Sequence, residues 1–166
     1  FMKPGKPADS SKRLKLTDVE DTRFLHCNIK TLNLLVNVMA AEKAESMGCG
    51  ECVFHRGDVV TECAHSNVSI IKDGIFKTHP TDHYILPGIT RMHIIQICKD
   101  NGIPVDETPF TMAELMDADE IIVSSSTKFC SPACEMNGTP IGGKAPELVK
   151  LIQEKYMEKF ENETAN

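Results

Sequence analysis

The stretch Phe24-Leu25-His26-Cys27-Asn28-Ile29-Lys30-Thr31-Leu32-Asn33-Leu34-Leu35 holds a single lysine between two apolar flanks. Upstream, residues 14–19 alternate apolar and polar side chains, the pattern of a half-buried strand. Downstream, Leu32, Leu35, Val36, Met39 and Ala40 recur at helical spacing. With Ala41, Lys43 and Ala44 they predict a helix over 32–47 that stops at Gly48. Lys30 therefore stands at a strand-to-helix junction. A lysine so placed either snorkels to solvent or is held partly desolvated, and a desolvated amine is a nucleophile able to form a Schiff base.

Four short β-type runs follow, at 51–55, 59–63, 68–72 and 75–78, punctuated by the hairpin signals Arg56-Gly57-Asp58 and Asp73-Gly74. The period then changes. Residues 88–101 read as a helix with Ile89, Met92, Ile95 and Ile97 or Cys98 on its apolar side. Residues 105–108 are strand-like, and Thr111 caps a short helix over 113–116. Ile121-Ile122-Val123 reads as a buried strand that opens onto the hydroxyl-rich Ser124-Ser125-Ser126-Thr127. A hairpin turn at Asn137-Gly138 and an amphipathic helix over 146–160 close the pattern. Helices interleaved with hairpins imply an α/β domain with a mixed sheet.

The 166 residues suit one globular domain, 41% hydrophobic and 25% charged. A net charge of −6 argues against a general binder of nucleic acid or anionic membranes, and no apolar run is long enough to span a bilayer. Seven cysteines, an odd number, with no signal-peptide pattern favour free thiols in a reducing cytoplasm. Residues 1–13 are rich in Pro, Gly, Ser and Lys and read as a linker.

Three further segments carry candidate chemistry. Glu62, in Val60-Thr61-Glu62-Cys63-Ala64-His65-Ser66-Asn67, ends an otherwise apolar strand, where a lone carboxylate is costly unless a cation meets it. It is read either as the partner of a neighbouring arginine such as Arg23 or as a carboxylate that keeps a ring nitrogen protonated. In Leu86-Pro87-Gly88-Ile89-Thr90-Arg91 a helix start leaves the N–H groups of Ile89 and Thr90 free beside a hydroxyl, a geometry suited to phosphate. Ser125, Ser126 and Thr127 add hydroxyls for the same anion. The C-x-x-C of Cys49 and Cys52 and the looser pair Cys130 and Cys134 lie about eighty residues apart, too far for a usual zinc ligand set. Cys49 also follows the end of a helix, the wrong pole for thiolate activation. No metal site is predicted; a cysteine-based metal-binding or interaction module is the rival from another class.

Taken together, Asn28-Ile29-Lys30-Thr31-Leu32-Asn33-Leu34-Leu35, Val60-Thr61-Glu62 with Ser66-Asn67-Val68, Gly88-Ile89-Thr90-Arg91 and the 125–127 stretch resemble the fold-type IV pyridoxal-phosphate enzymes, D-amino-acid aminotransferases above all. The resemblance runs over 19–160 in order and spacing. It implies a mixed sheet partly closed into a pseudo-barrel with flanking helices, and transamination between a D-amino acid and a 2-oxo acid. It assigns Lys30 as the Schiff-base lysine and proton shuttle, Glu62 as partner of the pyridine nitrogen, and Ile89, Thr90 and Ser126 as part of the phosphate cradle. Arg23 matches an arginine that relatives carry near the site, and His65 and Ser66 fall on the substrate side. Members are usually homodimers, with the site near the domain junction.

The pattern also departs from the family. Branched-chain aminotransferases place a Tyr after the residue matching Asn33, where this chain has Leu34; aminodeoxychorismate lyases have a more basic context after their lysine. Both are the rivals within the fold. Small Gly and Ser residues usual after the glutamate give way to Cys63, Ala64 and His65, so His65 is expected to narrow or polarise the substrate side. The Gly-Pro-Thr helix start common near the end of the family becomes Gly143-Lys144-Ala145-Pro146. The smaller N-terminal domain of the family, which supplies a phosphate-binding arginine and most groups for the substrate carboxylate, has no match. The expectation is a large C-terminal domain over 14–166, with 1–13 the remnant of an interdomain linker.

Overall fold

The structure, a computed structural model, describes residues 12–164. The expected linker over 1–13 lies almost wholly outside the described residues. Its last residue, Arg13, belongs to the fold: its Nη1 donates to Glu120 Oε2 at 2.8 Å and to the Ala133 carbonyl at 3.1 Å.

The strands are β1 (Leu14–Glu20), β2 (Glu51–Arg56), β3 (Val59–Cys63), β4 (Asn67–Lys72), β5 (Ile75–Thr78), β6 (Val105–Asp106), β7 (Glu120–Ser125), β8 (Phe129–Met136) and β9 (Thr139–Pro140). Among them run helices α1 (Leu35–Ser46), α2 (Ile89–Asp100), α3 (Met112–Asp117) and α4 (Pro146–Thr164). The four β-type runs appear almost residue for residue. Two hairpins turn where a left-handed pair is required, Asp73-Gly74 at φ 50 and 77 and Asn137-Gly138 at φ 49 and 80. The strand expected over 105–108 shortens to two residues, and the last helix runs four residues beyond 160.

α1 starts three residues later than its periodicity suggests, because the Asn33 N–H donates to the Thr31 hydroxyl at 3.2 Å. Its buried face also differs. Asn37, Ala40 and Ala44 turn inward, against Cys52 and Phe54 of β2, while Leu35, Val38 and Met39 face outward at 71%, 56% and 64% exposure. Small residues let the helix approach the sheet closely; its large apolar residues are left on the surface.

The strands form one mixed sheet in the order β3-β2-β1-β8-β7-β4-β5-β6, with β9 beside β8. β1 runs parallel to both β2 and β8, whereas β4 and β8 are antiparallel to β7. Four strands stand between β3 and β4, yet only residues 64–66 connect them. In a flat sheet five strand spacings would amount to about 24 Å, whereas the four residue steps from Cys63 to Asn67 reach at most about 14 Å. The sheet must curl, and it does so into a half-barrel whose seam is closed by the Cys63 N–H on the Ser66 carbonyl at 2.7 Å.

Alternation along the strands sorts the core. Ile70, Ile121 and Val123 point into the concave side with Leu16, Val53 and Val68, where Phe110 and Leu115 close the space. Ile71 and Ile122 point outward, under Ile94, Cys98, Ile152 and Tyr156 of α2 and α4. Both faces of β7 are thus covered, which accounts for its unbroken apolar run. Among the described residues no helix is long and apolar enough to cross a membrane.

α3 begins with a reciprocal cap: the Thr111 hydroxyl accepts from the Glu114 N–H at 3.1 Å, and Glu114 Oε2 accepts from the Thr111 N–H at 2.8 Å. Thr111→Ala is expected to lower the unfolding free energy by about 1 kcal/mol, measured as a lower urea midpoint with an unchanged slope, while Thr111→Ser leaves it near the parent value.

Candidate active site

At the seam of the half-barrel four segments meet around one cavity of about 470 Å³. They are the irregular stretch from Arg23 into α1, the end of β3 with the 64–66 turn, the start of α2, and the end of β7 with Ser126. The first segment is held in place by the loop before α2: the Cys27 N–H donates to the His83 carbonyl at 2.9 Å and Arg23 Nη2 to the Tyr84 carbonyl at 3.2 Å. Lys30, carried on this segment, is exposed to the cavity and to solvent.

Glu62 is buried on the cavity floor and has three donors. Oε1 accepts from Arg23 Nη1 at 2.6 Å; Oε2 accepts from Asn67 Nδ2 at 3.1 Å and from the Leu86 N–H at 2.9 Å. Arg23 is the cation foreseen for Glu62, but it serves a second carboxylate. Asp21 takes its Nε and Nη2, both at 2.9 Å, and its backbone N–H at 3.1 Å. The guanidinium lies 4.4 Å above the Phe54 ring. Burial pushes the Glu62 carboxyl up to about 7, with Arg23 opposing the rise. For Asp21 burial works the same way, but the Arg23 hydrogen bonds and charge outweigh it and hold that carboxyl below its ordinary value. One guanidinium divided between two carboxylates satisfies the nearer-wrapped Asp21 first.

α2 has no side-chain cap, so the N–H groups of its first turn point at the cavity from Ile89 and Thr90. The Thr90 hydroxyl is buried and accepts a long 3.5 Å bond from Tyr156. Opposite, the Ser125 hydroxyl accepts the Lys128 N–H at 3.1 Å, and Ser126 lies exposed on the rim. Ser66 is committed elsewhere: its hydroxyl donates to buried Glu51 at 2.8 Å, which also holds Lys128 Nζ at 2.7 Å.

Arg23, Lys30, Glu62, His65, Ser66, Ile89, Thr90, Ser125 and Ser126 all line this cavity, whereas Thr127, expected to add a hydroxyl, does not. Sequence reasoning passed over Asn67, the Leu86 N–H, Asp21 and Asn37, whose Nδ2 fixes the 64–66 turn through the Ala64 carbonyl at 2.8 Å. Asn67 had a signal, a polar amide just before an apolar strand. The cysteines separate: Cys52 packs under α1 and Cys130 under α2 and α4, and among the described residues no cluster of His, Cys, Asp or Glu is placed to hold a metal ion. His79 and His83 stand four apart but not on a helix, and both nitrogens of His79 are engaged, by the Val60 carbonyl and Asp82.

The profile of amino-transferase class IV matches residues 2–136. The chain belongs to the class IV aminotransferases. It is 48% identical over 136 residues to a D-alanine aminotransferase of Listeria monocytogenes, covering 81% of this chain and 47% of that protein. A D-alanine aminotransferase of Staphylococcus haemolyticus is 46% identical over 154 residues, 90% of this chain and 55% of the relative. The chain thus spans about half the length of the curated relatives it matches. Among solved structures, the branched-chain amino acid aminotransferase of Escherichia coli superposes with a TM-score of 0.76 at 25% identity, over 88% of this chain and 51% of that one. A hypothetical aminotransferase from Mycobacterium tuberculosis in its PLP-bound form gives 0.80 at 20% identity, over 90% and 57%, a likeness of fold.

In this member of the class IV family Gly88 is needed for space, not for backbone freedom, since its φ is −66. A Cβ there would run into Asn67 Oδ1. Gly88→Ala is expected to push Asn67 off Glu62 and Leu86 and to destabilise the fold by about 1–3 kcal/mol, measured by chemical unfolding.

Proposed function

We propose that residues 14–166 form the pyridoxal-phosphate-binding large domain of an enzyme that transaminates between a D-amino acid and a 2-oxo acid. One observation carries the reading: an accessible lysine, a buried carboxylate and an uncapped helix N-terminus face a single cavity. The donor set suits the cofactor. Glu62 would take the ring nitrogen; the first-turn N–H groups at Ile89 and Thr90, the Thr90 hydroxyl and Ser126 would take the phosphate. Pyridoxal phosphate, when bound, supplies an aldehyde that condenses with amines and a ring that withdraws electrons once protonated.

The chain's own residues do the rest. Lys30 Nζ would be the nucleophile toward the aldehyde, and the freed amine would take the Cα proton of the amino acid and deliver it to the former aldehyde carbon, not back to Cα, which is what separates transamination from racemisation. Glu62, held by Arg23, Asn67 and the Leu86 N–H, offers a fixed negative charge to a ring N–H. His65, exposed at the tip of the 64–66 turn, and Ser66 stand on the side proposed for substrate, although the Ser66 hydroxyl is already engaged by Glu51. In this reading the groups that clamp the substrate carboxylate belong to a further domain of the enzyme, and the chain by itself turns over poorly. The free thiols suit a cytoplasmic setting.

Incubation of the chain with pyridoxal phosphate followed by borohydride is expected to leave the label on Lys30, located by peptide mass; no label there refutes the assignment. In the full enzyme, D-alanine added before reduction should clear the label, and L-leucine should not; the opposite order favours the branched-chain relative. Lys30→Ala in the full enzyme is expected to lower turnover by about 10²–10⁴-fold.

We also propose a homodimer. Leu32, Leu35, Val38 and Met39 are between 56% and 96% exposed, an apolar surface along α1 and its lead-in that a second copy would cover. Sedimentation equilibrium is expected to give a dimer for the chain, and Leu35→Lys combined with Met39→Lys to give a monomer that retains its helical circular dichroism.

A further inference from the structure

The mechanism above uses Glu62 and Arg23 but leaves their most buried neighbour without a part. The Asp21 side chain is fully buried at the end of β1, away from the cavity. It accepts from Arg23 three times, from Thr61 Oγ1 at 3.1 Å and from Arg56 Nε at 3.2 Å. Arg56 in turn stacks 4.8 Å over Tyr84 and donates to the Arg23 carbonyl at 2.8 Å. A carboxylate taken wholly out of water is expensive to keep, and replacing such a group with apolar packing often costs nothing in stability. Such a carboxylate is weak evidence for stability, and its partners point to a further task.

The geometry names that task. With Nε and Nη2 of Arg23 spent on Asp21 and the Tyr84 carbonyl, Nη1 is the guanidinium corner turned toward Glu62 Oε1. We propose that Asp21 is a positioning residue: through Arg23 it fixes the plane of the Glu62 carboxylate and, by sharing the guanidinium, keeps that carboxylate only partly neutralised and ready for a cationic ring N–H. The inference rests on the reading of Glu62 as the cofactor's ring partner, and it deepens that reading by one layer.

The groups facing Glu62 are few. Arg23 comes from the segment before α1 and Asp21 from the end of β1, with Arg56 of β2 behind Asp21. Cys27 and Cys63 are the other titratable neighbours; burial raises both thiols, so they stay uncharged around neutrality. Lys30 shares the cavity. The sign of each contribution follows. Burial raises Glu62, Arg23 lowers it, and the negative charge of Asp21 raises it. Removing that charge without changing shape favours the Glu62 carboxylate; removing Arg56 disfavours it, because Asp21 is then left to Arg23 alone.

The test needs no cofactor and uses the 166-residue chain. Glutamate side chains are labelled with carbon-13 at the carboxyl, and the Glu62 resonance is assigned by its loss in Glu62→Gln. The parent is expected to titrate near 7. Asp21→Asn is expected to lower the midpoint by about one unit, a tenfold gain in the ionised ratio. Asp21→Glu should restore it, and Arg56→Gln should raise it. Loss of packing alone would reduce the melting temperature and leave the midpoint in place, or move both variants in the same direction; either result overturns the proposal. If Asp21→Asn does not fold, the half-exposed Arg56→Gln decides by itself, an unmoved midpoint being fatal. Lys30 labelling is read separately. Opposite shifts without a label keep the Asp21 coupling and refute the cofactor reading, and a label with an unmoved Glu62 does the reverse.

Discussion

The molecule is organised by the shortness of one connection. Three residues join β3 to β4 across four intervening strands, and the chain cannot span a flat sheet of that width. Curling brings the end of β3 beside the beginning of β4, and both ends carry polar residues, Glu62 and Asn67, that would otherwise stand on opposite sides of the domain. The cavity is a consequence of the curl: it occupies the place where strands are forced together but helices do not fill the gap. The inner core completes the argument, since Val60, Val68, Ile70 and Phe110 pack on the concave side and hold the seam shut.

Once the seam exists, its polar groups must be matched. Glu62 meets three donors from three elements separated in sequence, at Arg23, Asn67 and Leu86. Each donor ties an irregular stretch to the floor of the cavity: the lead-in to α1, the 64–66 turn and the loop before α2. The segment bearing Lys30 is thereby placed by a carboxylate rather than by apolar packing, and most of its large side chains, Phe24, Leu25, Ile29 and Leu32, remain exposed. A lysine on a weakly packed segment, pinned by this charge network and by the Cys27 N–H on the His83 carbonyl, keeps reach without losing address.

Much of this was legible in the sequence, and the parts that were not have a common cause. Strand positions follow from a period of two and from turn dipeptides whose second residue is glycine, both local signals. Glu62 and Thr90 are legible because each sits near the end of an element in a motif of several residues, and Lys30 because it is the one lysine of an irregular stretch between apolar flanks. The start of α1 was misread because the Thr31 hydroxyl takes an N–H that propensity counts for the helix. Its buried face was misread because Ala40 and Ala44 carry little hydrophobic signal, while Leu35 and Met39 carry much and face outward. Asp21 was invisible for another reason. Its partners Arg56 and Thr61 are 35 and 40 positions away, and a buried aspartate has no local pattern. The C-x-x-C pattern misleads in the opposite sense: Cys49 and Cys52 lie against one apolar cluster, and among the described residues no further His, Cys, Asp or Glu joins them as a ligand set.

Two buried glutamates flank the 64–66 turn, and they differ in how their cations are shared. Glu51 is met by Lys128 Nζ at 2.7 Å and by the Ser66 hydroxyl at 2.8 Å, both on Oε2, and Lys128 has a backbone carbonyl, not a second carboxylate, as its other partner. Its charge has a cation to itself, and the pair clamps the turn to the hydroxyl loop after β7. Glu62 has a cation that Asp21 already holds by three bonds. A carboxylate in that position is well oriented but under-compensated, which is a poor way to fasten a turn and a good way to await a positive charge. The two glutamates are equally buried and differ in what their cations are asked to share; the fold uses the first to build the cavity wall and leaves the second with attraction to spare.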